Sequence, residues 1–231
     1  MLDTDELYDE LWESTDHIEE TKVIINGVEY GSDKLVSVST RGAVFNGNEL
    51  TIGGAVMGTI SIEMRSEGKT AKELSDIIPR AAKVEPFVRL SGKVTKSGSI
   101  YNDGTEKHSD WLPQGVFWIA ERSAVGWSSL LKISGEDNMT WAEYDFPTVL
   151  HSWPATDVTV VQDIATAMGV DIDTRTTDLM NKGYTLPKPE YYTMREVLGY
   201  IAAMYCGNFV FTKEGKLLLL TLSSLPSAPS V

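Results

Sequence analysis

The residues best equipped for chemistry are three histidines, one cysteine and a surplus of carboxylates. His17 lies in an acidic stretch, His108 in a polar loop and His151 in a proline-bearing linker. None has a partner at metal-ligand spacing such as H-x-x-x-H, so each reads as a solvated surface residue. His108-Ser109-Asp110 carries the letters of a catalytic triad. Adjacent loop residues cannot set their side chains in triad geometry, where the base stands between nucleophile and carboxylate. Cys206 ends an apolar helix face with no base near it in sequence, and is expected to be a small buried hydrophobe. Gly53-Gly54 and Gly58 lack the Lys-Ser/Thr of a phosphate loop and precede a strand, so they read as a bulge or a close backbone approach. Asp103 and Asp110 lack the D-x-D-x-D-G spacing of a calcium loop. No G-x-S-x-G elbow is present. A glycosidase with paired carboxylates stays open, because its two acids need not be neighbours in sequence. Trp111, Trp118, Trp127, Trp141 and Trp153 suit either a sugar-stacking surface or a core, and their positions in and beside strands favour the core. The expectation is a protein that is not an enzyme, with no cofactor and no metal.

The chain that must position these residues has 231 of them, 42% hydrophobic and 23% charged. That is the composition of an ordinary globular protein of one or two domains, large enough to bury a core unaided. A single cysteine excludes an internal disulfide framework. No apolar run is long enough to predict a membrane span. The opening MLDTDELYDE has neither the basic nor the apolar region of a signal peptide. With 33 acids against 20 bases the net charge is −13, and nine acids and no Lys or Arg fall in the first twenty residues. Specific nucleic-acid binding needs a basic footprint, so none is expected. The acidity serves solubility, and also suits a channel through which nucleic acid passes without sticking.

Periodicity predicts an α+β chain, mainly β. Residues 5–14 form a short amphipathic helix with Leu7, Tyr8, Leu11 and Trp12 on one face. Lys22–Asn26 and Val28–Tyr30 flank Asn26-Gly27, a pair that supplies the positive φ of a tight hairpin. Further strands are expected at Leu35–Thr40, Val56–Arg65, Val84–Val94, Val116–Arg122 and Trp127–Ser134. Val56–Arg65 alternates most clearly, with Ile60, Ile62 and Met64 facing one way. Helical turns are expected at 70–78 and Asp137–Tyr144, and an exposed polar loop at 95–110. Beyond HSWPAT the pattern turns helical: Val158–Met168, stopped by Gly169, then a polar connection over 173–192, then Met194–Tyr205 stopped by Gly207. Thr193 and Glu196 make a T-x-x-E capping box for that last helix. Asn208–Thr212 and Lys216–Leu222 read as paired strands without further neighbours, followed by the linker-like SSLPSAPSV. The expected organisation is an acidic helix at 1–20, a β-rich, barrel-like antiparallel domain at 21–152, a small α/β domain at 153–223 and a tail at 224–231.

The order of these pieces resembles a known family. IGGAVMGTISIEMR, AAKVEPFVRLSG, DWLPQGVFWIAERS and LLKISGEDNMTWAEYDF follow one another as in the N-terminal hub domain of siphophage and prophage tail-tip proteins, relatives of contractile-phage baseplate hubs often called tail endopeptidase or tail lysin. KVIINGVEY is similar to their opening hairpin. TVVQDIATAMGVDID and YTMREVLGYIAAMYCGNFVFTKEGKLLLL are similar to the α/β domain after the first barrel. The resemblance covers about residues 20–222 and its motifs are patterns of strand, turn and helix, not catalytic signatures. It implies a homotrimer whose barrel-like domains form a ring continuing the tail tube. The ring contacts a distal tail protein above and carries C-terminal modules below. It also implies a virion-tail protein made in the bacterial cytoplasm. Protease or lysin activity belongs to the C-terminal modules and is not carried over.

The expected contact regions are the helix face with Leu7, Leu11 and Trp12, and the loop Lys96–Asp110 with Tyr101 and the following Trp111. The plainer alternatives are a helix docked on its own chain and an ordinary solvated loop. A carbohydrate-binding or host-recognition module is the competing function, and it requires Trp111 or Trp127 on an exposed face.

Overall fold

The computed structural model describes residues 4–45, 51–65, 73, 78–124, 130–149 and 152–222. The chain forms two compact units. One comprises Met1–Thr40 with Ile60–Gly135; the other comprises Arg41–Thr59 with Glu136–Val231. This division differs from the boundary expected between the β-rich domain at 21–152 and the α/β domain at 153–223, because residues 41–59 supply a strand to the second unit.

The first unit is built on antiparallel strands: β1 (His17–Ile25), β2 (Val28–Tyr30), β3 (Leu35–Arg41), β5 (Thr59–Arg65), β6 (Lys83–Gly92), β9 (Phe117–Ala124) and β10 (Leu130–Asp137). Their order is β2-β1-β6-β9-β10-β5-β3, and the short β7 (Lys107–His108) and β8 (Leu112–Pro113) also pair with β6. Asn26 and Gly27 hold φ of 50° and 80°, the conformation expected of the β1–β2 hairpin. β1 pairs with β6 over its whole length, from His17 opposite Gly92 to Ile25 opposite Val84. Alternation puts Ile60, Ile62 and Met64 of β5 inside with Val23, Ile25, Val84, Phe117 and Ile133. Among the described residues the strand path has two ends, so the sheet is open and the expected barrel-like closure is absent. Closure requires every strand to bond on both edges, whereas β2 and β3 each end the path. The helix expected at 70–78 lies outside the described residues, apart from Glu73 and Ile78.

The second unit packs helices on a small sheet. α2 (Asp157–Met168) ends at Gly169 in the left-handed conformation, and α3 (Thr174–Leu179) occupies part of the stretch expected to be a plain connection. β11 (Ala155–Thr156) pairs with β12 (Thr185–Leu186). α4 (Met194–Met204) carries the complete Thr193/Glu196 capping box. Val160, Ile164, Leu198, Ile201 and Phe209 are fully buried in one cluster, each side chain contributing about 1.5–3 kcal/mol by leaving water. Asn138–Glu143 forms a 3-10 turn capped by Asp137. The hairpin β13 (Gly207–Phe211) and β14 (Leu217–Thr221) has a third neighbour, β4 (Gly54–Ala55), parallel to β13. The expectation of an unaccompanied pair therefore fails, because its partner comes from residues far upstream. Cys206 is exposed with φ of 53°, not a buried hydrophobe, since it sits at the bend between α4 and β13.

The glycines of 53–58 do serve a close approach. A Cβ on Gly199 would lie 2.9 Å from the Gly53 carbonyl, and one on Gly53 2.9 Å from Ala203 Cβ. The backbone of 53–54 thus lies directly against α4.

Candidate interaction surfaces

α1 (Glu6–Trp12) begins at Asp5, whose carboxylate accepts the Tyr8 N–H at 2.8 Å. The helix lies on its own unit. Leu11 is fully buried with Leu90 and Val94, and Leu7, Tyr8 and Tyr101 pack around them. Polar groups reinforce this docking. The Ser99 hydroxyl donates to the buried Glu10 carboxylate, and the Ser14 hydroxyl donates to the Glu10 carbonyl at 2.8 Å while accepting the Thr95 N–H at 3.2 Å. The structure therefore brings together Leu7, Leu11 and Tyr101, the half-buried Leu7 and Tyr101 packing around the buried Leu11. Trp12 stays outside, 61% exposed and stacked on His17 at 5.6 Å.

Trp111 is half-buried, with Lys22 Nζ 4.6 Å and Arg89 Cζ 4.5 Å from its ring centre. Each cation is also held by an acid: Lys22 by Glu29 at 2.9 Å and Arg89 by Glu20 at 2.6 Å. The Ser91 hydroxyl and the Arg89 guanidinium hold the Glu20 carboxyl below its ordinary range. His108 Nδ1 lies 3.5 Å from Glu20. Cation–π contacts thus engage the ring that a sugar would stack on. Of the other tryptophans, Trp118 is half-buried outside the apolar clusters, and Trp141 and Trp153 are half-buried against the core of the second unit. Trp127 and His151 lie outside the described residues.

The second unit holds two features the sequence did not single out. One is a set of buried polar brackets. Asn208 is 1% exposed; its Nδ2 donates to the Val44 carbonyl at 2.8 Å and the Thr51 carbonyl at 2.7 Å, while its Oδ1 accepts the Gly54 N–H at 2.8 Å. Asp137 accepts the Gly58 N–H at 2.6 Å and the Met139 N–H at 2.9 Å. Burial raises its carboxyl to about 6 despite these bonds and the nearby Arg195. Asp157 is fully buried and accepts the Tyr205 hydroxyl, whose proton is held well above the phenol range, first by burial and then by that carboxylate. The other feature is a pair of open hollows that share Tyr200. One, of about 480 Å³, is lined by Gly53, Glu143, Thr193 and Arg195; the other, of about 350 Å³, by Leu186, Pro187, Pro189 and Tyr192. Arg195 is not available for a ligand, because it donates to the Ala55 carbonyl and pairs with Glu143. Among the described residues no group of three or more His, Cys, Asp or Glu is placed to hold a metal ion. No described helix is long and apolar enough to cross a membrane.

No family model matches this sequence, and no curated protein matches it. Solved structures do. The 43 kDa tail protein of prophage MuSo2 from Shewanella oneidensis superposes with a TM-score of 0.53 at 13% identity, over 88% of this chain and 56% of that one. The tail protein from Neisseria meningitidis MC58 superposes with a TM-score of 0.52 at 12% identity, over 87% of this chain and 51% of that one. At such identities the likeness is one of fold: this chain has the α+β fold of these tail proteins, and spans about half their length.

Proposed function

We propose that this chain is a structural component of a phage or prophage tail, placed at the tail tip as a hub. Copies of it form a ring, a trimer, that continues the tail tube and anchors neighbouring tail proteins. The supporting observation is the fold shared with two tail proteins, one of them from a prophage, across 87–88% of the chain. Two further features agree with it. An open sheet offers edge strands to neighbours, and a net charge of −13 gives passing DNA little to adhere to. The hub role needs surfaces rather than a reaction, so no catalytic residue or cofactor is assigned. The protein is made in the bacterial cytoplasm and ends in the virion tail. Particles carrying an epitope-tagged copy, imaged by immunogold electron microscopy, test this. Label confined to the tail tip is expected. Label along the tail or at the head end overturns the hub placement, and its absence from purified particles overturns the tail role.

A further inference from the structure

The smaller of the two hollows, about 350 Å³, lies beside α4 and is walled by Leu186, Pro187, Pro189, Tyr192, Val197 and Tyr200. Its one charged lining residue, Lys188, is held by Glu190 at 3.8 Å. The Tyr192 and Tyr200 rings meet edge to face at 5.5 Å and 82°, so their faces are turned in two directions. They keep 42% and 56% of their surface in water. Aromatic rings set at an angle beside prolines form a wall on which prolyl rings pack, because a prolyl ring is apolar and already fixed in φ. The surrounding charge narrows the choice of occupant. Across the two hollows that share Tyr200, the lining acids Glu143 and Glu196 with the exposed Asp145 and Glu190 beside them outnumber Lys188 and Arg195 by four to two. An acidic surround repels a second folded copy carrying −13, and it repels nucleic acid. It costs an uncharged segment nothing.

This chain contains such a segment. Residues 223–231 read SSLPSAPSV and carry no ionisable side chain. Pro226 and Pro229 are spaced P-x-x-P, which sets both on one edge of a polyproline II helix with its three residues per turn. We infer that the hollow walled by Tyr192 and Tyr200 takes the segment Pro226–Pro229 of the same chain. Reach permits it. The Leu222 N–H donates to the Cys206 carbonyl at 3.3 Å, which fastens the residue before the segment at the C-terminal end of α4. α4 has 11 residues and is about 16 Å long. At about 3.1 Å per residue, Pro226 and Pro229 reach about 12 and 22 Å from Leu222. Tyr200 lies one turn before the end of α4 and Tyr192 just ahead of its first turn, so both fall inside that span. A segment joined to the same chain also meets the hollow at millimolar effective concentration, so weak stacking suffices.

Nuclear magnetic resonance of the full, isotope-labelled chain tests this, with Tyr200→Ala and the double variant Pro226→Ser, Pro229→Ser. In wild type the ring protons of Pro226 and Pro229 are expected to be displaced by the ring currents of the tyrosines. Tyr200→Ala removes that displacement, while signals away from the hollow stay as in wild type. Replacing both prolines shifts the signals of Tyr192, Val197 and Tyr200, although these residues stand far from the substitutions in sequence. The shifts are expected to be the same at every protein concentration. Changes confined to residues 223–231 overturn the inference and leave the hollow to a different protein. Changes at the hollow that fade on dilution overturn it as well, because the segment then comes from a second copy. The inference does not rest on the tail role, which the labelled particles decide separately.

Discussion

The two units achieve order in contrasting ways. The first relies on repetition: β1 and β6 are joined by nine consecutive residue pairs, no one of which is decisive. The second has an apolar cluster and a five-pair hairpin of its own, but it fastens one strand with a single side chain. Its β4 is two residues long and meets β13 through two residue pairs, so the Asn208 side chain must secure what backbone pairing does not. A long ladder tolerates the loss of one contact, whereas a short one secured by a buried amide fails when the amide goes.

This contrast is open to direct attack. Asn208→Ala leaves the Gly54 N–H and the Val44 and Thr51 carbonyls without their partner. It is expected to destabilise the second unit by about 3–4 kcal/mol, since buried groups lose their bonds without regaining water. Urea unfolding, with hydrogen exchange at Gly54, measures it; a loss below about 1 kcal/mol breaks the contrast.

Asp137 sharpens it through pH. Its folded carboxyl titrates at about 6 against an ordinary 3.8, so the native state binds that proton more tightly than the unfolded chain. The group's contribution to stability is full below about pH 4 and is lost as pH rises through about 6. The loss amounts to about 2–3 kcal/mol by pH 7. Asp137→Asn removes this dependence. Repulsion among the other acids slopes both proteins alike, so the difference between their pH–stability curves from pH 4 to 7 is the readout. Parallel curves would show that Asp137 titrates normally.

The smallest effect belongs to the first unit. Lys22→Ala removes an ion pair with Glu29 and a cation from the Trp111 ring. The expected cost is under about 1 kcal/mol, because the glutamate is solvated and the β1–β6 ladder is untouched. A larger loss in thermal unfolding would mean that the first unit also depends on individual side chains.

Features written in short stretches of sequence were legible. Asn26-Gly27 specified its hairpin, the alternation of Ile60, Ile62 and Met64 specified a one-sided strand, and Thr193 with Glu196 marked where α4 begins. What escaped depends on distant partners. Gly54–Ala55 is too short to show a period, and nothing near it names β13 as its neighbour. Asn208 reads as an ordinary strand residue until Val44, Thr51 and Gly54 are laid beside it. α3 was missed because Thr174–Leu179 is polar up to its last residue and has one buried residue, Thr176. Cys206 was misplaced because an apolar helix face was extended past the bend where α4 stops. Of the proposed contacts, Leu11 is buried on its own chain with Tyr101 half-buried against it, since an apolar stripe on a helix looks the same whether it meets a partner or its own chain.

The bracket at Asn208 also sets a schedule for synthesis. The residues it fastens leave the ribosome about 150 positions ahead of it, the Gly54 contact spanning 154. At roughly 5–20 residues per second, the nascent β4 waits on the order of 8–30 s for the strand beside which it will lie. During that interval its backbone groups are satisfied by water alone, or by whatever chaperone reaches them first.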